Sequence, residues 1–207
     1  MPDELPPAPD KVFVLANPTD VLHKLYWEIA QLKKVLVEEP EKIAFTHAPA
    51  YYAFNCSVTA WHLADWIWEA STPQLREEIL QWLGKNSTGE RGKDFGIFQI
   101  AIMEKCRAIH ICRQLATGSK HMTVRQHPDS NVRAEMVWNR EPARASKVRA
   151  GDAAMKYSYQ LLIGDDDIPS PAVAIFEDAF RFWNNCLEDW GFKESSLVVV
   201  GKPTGRP

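Results

Sequence analysis

Residues 51–70, YYAFNCSVTAWHLADWIWEA, decide how this chain is read. At about 100° per residue, Tyr51, Asn55, His62 and Glu69 fall on one line, flanked by Val58, Asp65 and Trp66. Ala53, Phe54, Cys56, Ala60, Trp61, Leu63, Ala64, Ile67 and Trp68 cover most of the remaining circumference. A helix apolar this far round is expected to be buried, so the polar seam is expected inside the fold. Buried ionisable groups are costly unless paired, and they mark candidate functional positions.

Outward from this helix the chain reads as mostly helical. Asn17-Pro18-Thr19-Asp20 offers a helix start, and Leu22, Leu25, Ile29, Leu32 and Leu36 follow at helical spacing to a stop near Glu39-Pro40. A loop around His47 to Pro49 leads into the Trp-rich helix. Ser71-Thr72-Pro73 starts a third helix with Leu75, Ile79, Leu80 and Leu83 on its apolar face, and the polar stretch Gly84 to Lys93 stops it. A further helical stretch runs from about Asp94 to Thr117, with a break near Cys106 and Gly118 as its terminator.

After His121 the pattern changes to short alternating runs, clearest in Met155 to Leu161 and closed by a turn at Gly164 to Asp167. Ser170-Pro171 begins a last helix carrying Ile175, Phe176, Ala179, Phe180, Trp183, Leu187 and Trp190, closed by Gly191. The expected fold class is therefore mainly α: a helical bundle with a small antiparallel β insert before the last helix. The expected division is a disordered lead at 1–10, a single helical domain at 11–195 with the insert at about 122–168, and a tail at 196–207 that includes a short strand at Leu197 to Val200.

Composition narrows the partners. The 207 residues carry a net charge of -3, which gives no whole-chain reason to expect a nucleic acid or a membrane surface. Cys56, Cys106, Cys112 and Cys186 form no CxxC pair and suit a reduced protein. MPDELPPAPD is acidic and Pro-rich, unlike a secretory leader, and no apolar run reaches transmembrane length, so a cytoplasmic location is expected.

Two polar constellations carry the functional expectation. In the first, His62 and Asp65 share a face with Glu69, as a His and carboxylates do in bundle-core metal sites. Equally, Asp65 orients His62, or the seam lines a solvated groove. Further metal ligands would have to come from His23, His47, His110 or His121, none at a diagnostic spacing. In the second, Arg113 sits on the face of Cys106, His110 and Thr117, while Ser119, Lys120 and His121 are expected just beyond the helix end at Gly118. Lys120 and His121 can cap helix carbonyls there. Alternatively Arg113, Lys120 and His121 converge on a phosphate or carboxylate, with His121 as acid or base.

Other motifs fail. Gly89 to Asp94 lacks the spacing and the Ser/Thr of a P-loop, and neither GxSxG nor HExxH occurs. Lys120 to Ala150 holds seven Lys/Arg against three acids, with His127 and Trp138 among them, which suits a solvated face better than a nucleic-acid surface.

Thr59-Ala60-Trp61-His62-Leu63-Ala64-Asp65-Trp66 and Cys112-Arg113-Gln114-Leu115-Ala116-Thr117-Gly118-Ser119-Lys120-His121 together resemble a family of bacterial and phage proteins of unknown function. That family has an AWHLxDW helix, a C-R-x-L-A-N-G-S-K-H segment, a β insert and a Phe-Trp helix. The resemblance covers roughly residues 20–190, departs at Thr117 where the family has Asn, and implies a shared fold without an established activity. The chain also resembles, less closely, HEPN-type helical ribonucleases, which carry Arg and His on one helix with four to six residues between them. Here Arg113 and His121 have seven between them, including Gly118.

Three readings result. The first is a polar pocket of His62, Asp65, Arg113, Lys120 and His121 that binds a small anionic ligand or a metal, the metal on His62, Asp65 and His121, and that could support hydrolysis. The second is a metal-independent ribonuclease using Arg113 and His121 from two subunits, with RNA on the basic insert. The third is a structural or interaction module with no active site. No cofactor and no oligomeric state is named by the sequence.

Overall fold

The computed structural model describes residues 15–37, 47–121, 124–125, 128–142, 155–165 and 168–192. The expected lead at 1–10, the tail at 196–207 and the strand at Leu197 to Val200 lie outside the described residues, as does the end of the first helix near Glu39-Pro40. The fold is mainly helical. Helices α1 (Pro18–Val37), α2 (Ala48–Ala70), α3 (Pro73–Trp82), α4 (Arg91–Lys105) and α5 (Arg107–His121) are followed by strands β1 (Arg133–Pro142), β2 (Met155–Asp165) and β3 (Ile168–Pro171), then helix α6 (Ala172–Asp189).

Local chemistry sets these boundaries. Asn17 caps α1 by accepting from the Asp20 N–H at 3.0 Å, while the Asp20 carboxylate accepts from the Asn17 N–H at 3.2 Å. This reciprocal pair satisfies donors that the first turn of any helix leaves free. Thr72 caps α3 through the Leu75 N–H at 3.2 Å, with Pro73 at the first helical position where its missing N–H costs nothing. The same logic corrects the expected loop at His47 to Pro49. Helix α2 starts at Ala48, and Pro49 fits its first turn. The last helix starts later than expected, at Ala172, because Ile168 to Pro171 pair with β2 as a short third strand.

Two glycines behave oppositely. Gly84 has φ +73°, and the bonds Gly84 N–H to Gln81 O and Lys85 N–H to Leu80 O close α3 as a left-handed cap. The sequence predicts the same ending for α5 at Gly118, but α5 runs through it to His121. Gly118 is not among the positive-φ glycines, and Ser119 Oγ donates to the Ala116 carbonyl at 2.8 Å within the continuing helix. A Cβ at Gly118 would meet nothing within 4 Å. Gly118→Ala should therefore raise stability by about 0.5–1 kcal/mol, while Gly84→Ala should lower it by about 1 kcal/mol. Urea midpoints of the two variants shifting in the same direction would contradict this assignment.

The helical stretch from Asp94 to Thr117 is broken near Cys106, as its sequence suggests. Cys106 is extended (φ -137°, ψ 107°), and its carbonyl accepts the Ile109 and His110 N–H groups at 3.1 and 3.2 Å. One residue thus turns α4 into α5.

Helix α2 is the centre of the bundle, packed by α1, α5 and α6. Its buried face is Cys56, Ser57, Thr59, Ala60, Leu63, Ala64, Ile67 and Trp68. Trp183 of α6, fully buried, donates its indole N–H to the Ala60 carbonyl at 2.8 Å. Trp68 stacks on Phe98 at 5.2 Å, and Phe98 meets Trp190 edge-on at 6.2 Å, joining α2, α4 and the end of α6. The sheet is antiparallel in the order β1-β2-β3, in register from Arg133 opposite Gly164 to Pro142 opposite Met155. Ile163 is buried and Leu161 half-buried on the bundle side, two residues apart as a strand face requires.

The polar seam is not inside the fold. Tyr51, Asn55, His62 and Glu69 are exposed and Asp65 is half-buried. Trp61 and Trp66 lie between the two regimes: partly buried, packed against the core, and covering the shoulders of α2. Their width lets the helix read as apolar nearly all round, although only one face is covered by other helices.

Candidate functional site: a basic cleft between three helices

A cleft of about 840 Å³ opens where the exposed side of α2 meets α4 and α5. Helix α2 contributes Trp61 and His62, and α4 contributes Gly96, Gln99, Ile100 and Met103. Helix α5 contributes Arg113, Ala116, Thr117, Lys120 and His121, and Arg125 follows it. Four of the five residues expected at a site therefore meet here: His62, Arg113, Lys120 and His121. They do so because α5 stays helical past Gly118. Residues 113, 117, 120 and 121 then fall within one side of the helix.

Asp65, the fifth, is not among the lining residues. It lies one turn beyond His62. Burial raises its carboxyl pKa, the neighbouring His62 opposes the rise, and Glu69 adds to it. A carboxylate whose pKa is raised by folding is penalised once pH climbs above its unfolded value, near 3.9. Asp65→Asn should thus raise the melting temperature at pH 7 and leave it unchanged near pH 3. A lowered melting temperature at pH 7 would mean that Asp65 accepts stabilising bonds.

The expected metal set of His62, Asp65 and His121 does not assemble. Among the described residues, no group of three or more His, Cys, Asp or Glu is placed to hold a metal ion. Asp65 stands outside the cleft, whose described lining residues include Arg113, Lys120 and Arg125 and no carboxylate. Of the other histidines, His110 faces Asp129 at 3.0 Å, and Arg107 holds the same carboxylate at 2.8 Å. Burial raises the pKa of Asp129, but hydrogen bonds from Arg107, the Asn131 N–H and His110, with the Arg107 charge, bring it below the usual carboxylate range.

The α4 wall is anchored at its first turn. At the start of α4, the buried Asp94 accepts from Ser87 Oγ, from the Thr88 N–H at 2.7 Å and from Thr88 Oγ1 at 2.7 Å. Burial raises the Asp94 pKa, yet these bonds outweigh it and keep the carboxyl acidic. Arg113 is 8% exposed, and burial lowers its guanidinium pKa from the ordinary value. Arginine stays charged at neutral pH even so. His62, Lys120, His121 and Arg125 are exposed at the rim.

The three buried cysteines offer no nucleophile here. Burial pushes the Cys56 and Cys112 thiols well up and that of Cys186 to about 12, so all three stay protonated at neutral pH.

The α4 wall carries no signal in the sequence. Gly96, Gln99, Ile100 and Met103 repeat at i, i+3, i+4 and i+7, a spacing that looks like an ordinary core stripe. Only the 47% exposure of Ile100 sets it apart. Arg125 reads in the sequence as part of the basic insert instead. No helix of the described residues is long and apolar enough to cross a membrane. Comparison with family models, with characterised proteins and with solved structures returns no match.

Proposed function

We propose that the cleft binds a small anionic ligand. The observation that carries this reading is the joint placement of His62, Arg113, Lys120, His121 and Arg125 around one cavity with no carboxylate among its described lining residues. Arginine forks and a lysine ammonium suit phosphate or carboxylate oxygens, and the two imidazoles can donate hydrogen bonds or move a proton. The cavity volume falls within the range of about 300–1,000 Å³ typical of small-molecule sites. A local cluster of positive charge on a chain of net charge -3 also favours steering of an anion to this spot over general attraction.

Calorimetric titration with pyrophosphate tests the proposal. Binding should be measurable at low salt, and His62→Ala and His121→Ala should each weaken it while shifting the melting temperature little. Equal binding by wild type and both variants would remove the proposal.

A second reading is favoured by one observation: α5 is continuous from Arg113 to His121, so both reach the same cleft from one helix. In a metal-independent ribonuclease built within one chain, in place of the two-subunit site expected from the sequence, Arg113 would hold the scissile phosphate and His121 would act as acid or base. Expression of the wild type should then degrade cellular RNA, and His121→Ala should be harmless. Intact total RNA during wild-type expression removes this reading.

A further inference from the structure

The cleft has two chemically different ends. Its α5 side, with Arg125, supplies three permanent cations. Its α2 side adds Trp61 beside His62, and its α4 side adds Gly96, Ile100 and Met103 with the amide of Gln99. A bare phosphate or a sugar phosphate would use the first end and leave the second wet.

The second end fits a flat aromatic group. Trp61 is half-buried and packed against the core, so its ring is anchored while part of it faces the cavity. In the same cleft α4 presents Gly96, where a Cβ would meet nothing within 4 Å, leaving open space beside the helix backbone. A planar ring can lie against the Trp61 indole, with Ile100 and Met103 as apolar neighbours. Gln99, half-buried in the same wall, carries both a donor and an acceptor and can read the edge of such a ring.

We propose that the ligand is a nucleoside diphosphate, its phosphates held by Arg113, Lys120 and Arg125 and its base against Trp61. This rests on the anion-binding reading above. It adds a requirement that anion binding alone does not make: affinity must come from the base as well as from the phosphates.

Calorimetry of the full chain with adenosine diphosphate, pyrophosphate and adenosine, each alone, separates the two ideas. Adenosine diphosphate should bind about tenfold or more tighter than pyrophosphate, the range that base–aromatic stacking supplies. Trp61→Leu should erase that advantage, lowering the affinity for adenosine diphosphate at least about tenfold more than that for pyrophosphate. Gly96→Leu, whose Cβ would enter open space, should do the same and serves if Trp61→Leu folds poorly. Equal affinity of the wild type for the two anions would overturn the nucleotide while sparing the anion site. Absence of binding by both would overturn the two together. A single-stranded RNA oligonucleotide binding far tighter than the diphosphate, with the same dependence on Trp61, would replace the nucleotide by RNA.

Discussion

Trp183→Ala should destabilise the protein by about 3–5 kcal/mol, the range for deleting a buried tryptophan side chain. Trp183 is fully enclosed between α6 and α2, so its loss leaves a void that its neighbours fill only in part. That loss of stability is a large share of a typical total of about 5–15 kcal/mol. Trp183→Phe separates packing from hydrogen bonding. It keeps most of the ring volume but gives up the 2.8 Å bond to the Ala60 carbonyl, and should cost about 1–2 kcal/mol. The cost stays small because that carbonyl lies within α2 and keeps its helical partner. Urea denaturation measures both. A Trp183→Ala midpoint equal to that of the wild type would refute the packing of α6 on the central helix.

The second large effect is on binding. Reversing two rim charges together, Lys120→Glu with Arg125→Glu, should cut pyrophosphate affinity by about 1,000-fold at low salt. A unit charge pair at about 4 Å is worth about 1 kcal/mol in bulk water and more near a protein surface. Replacing an attraction of that size with an equal repulsion costs about 2 kcal/mol per site, or about 30-fold, and two sites multiply. The deficit should shrink steeply as salt approaches 1 M, where the screening length falls to about 3 Å. Stability should change little, since both side chains are exposed; Lys120 sits in the last turn of α5, and its reversal there costs up to about 1 kcal/mol through the helix dipole. Unchanged affinity in the double variant would place any bound anion elsewhere.

Much of this architecture is legible in residue patterns, and the places where it is not share a cause. Caps are local, so Asn17, Thr72 and the Cys106 break stand out from a few neighbouring residues. Gly118 misleads because glycine permits a left-handed stop without requiring one, and its φ is decided by the helical course of Ser119 to His121 beyond it. The α2 seam misleads for a different reason. Periodicity ranks residues around a helix, but it does not say how much of the circumference other elements cover, and here half-buried tryptophans fill the difference. The cationic part of the cleft is legible because Arg, Lys and His are conspicuous. Its uncharged wall is not, because Gly, Gln, Ile and Met at helical spacing announce nothing until a second helix is placed opposite.

The one-residue corner at Cys106 bears on how fast a guest is accepted. A joint of a single extended residue, bonded forward to Ile109 and His110, leaves little slack between two of the helices that line the basin. The Asp94 clamp anchors the far end of one of them. If the cleft takes the anion proposed above, capture should spend little on ordering the protein. Its rate should then be set by diffusion and charge, with no slow closing step visible in rapid mixing.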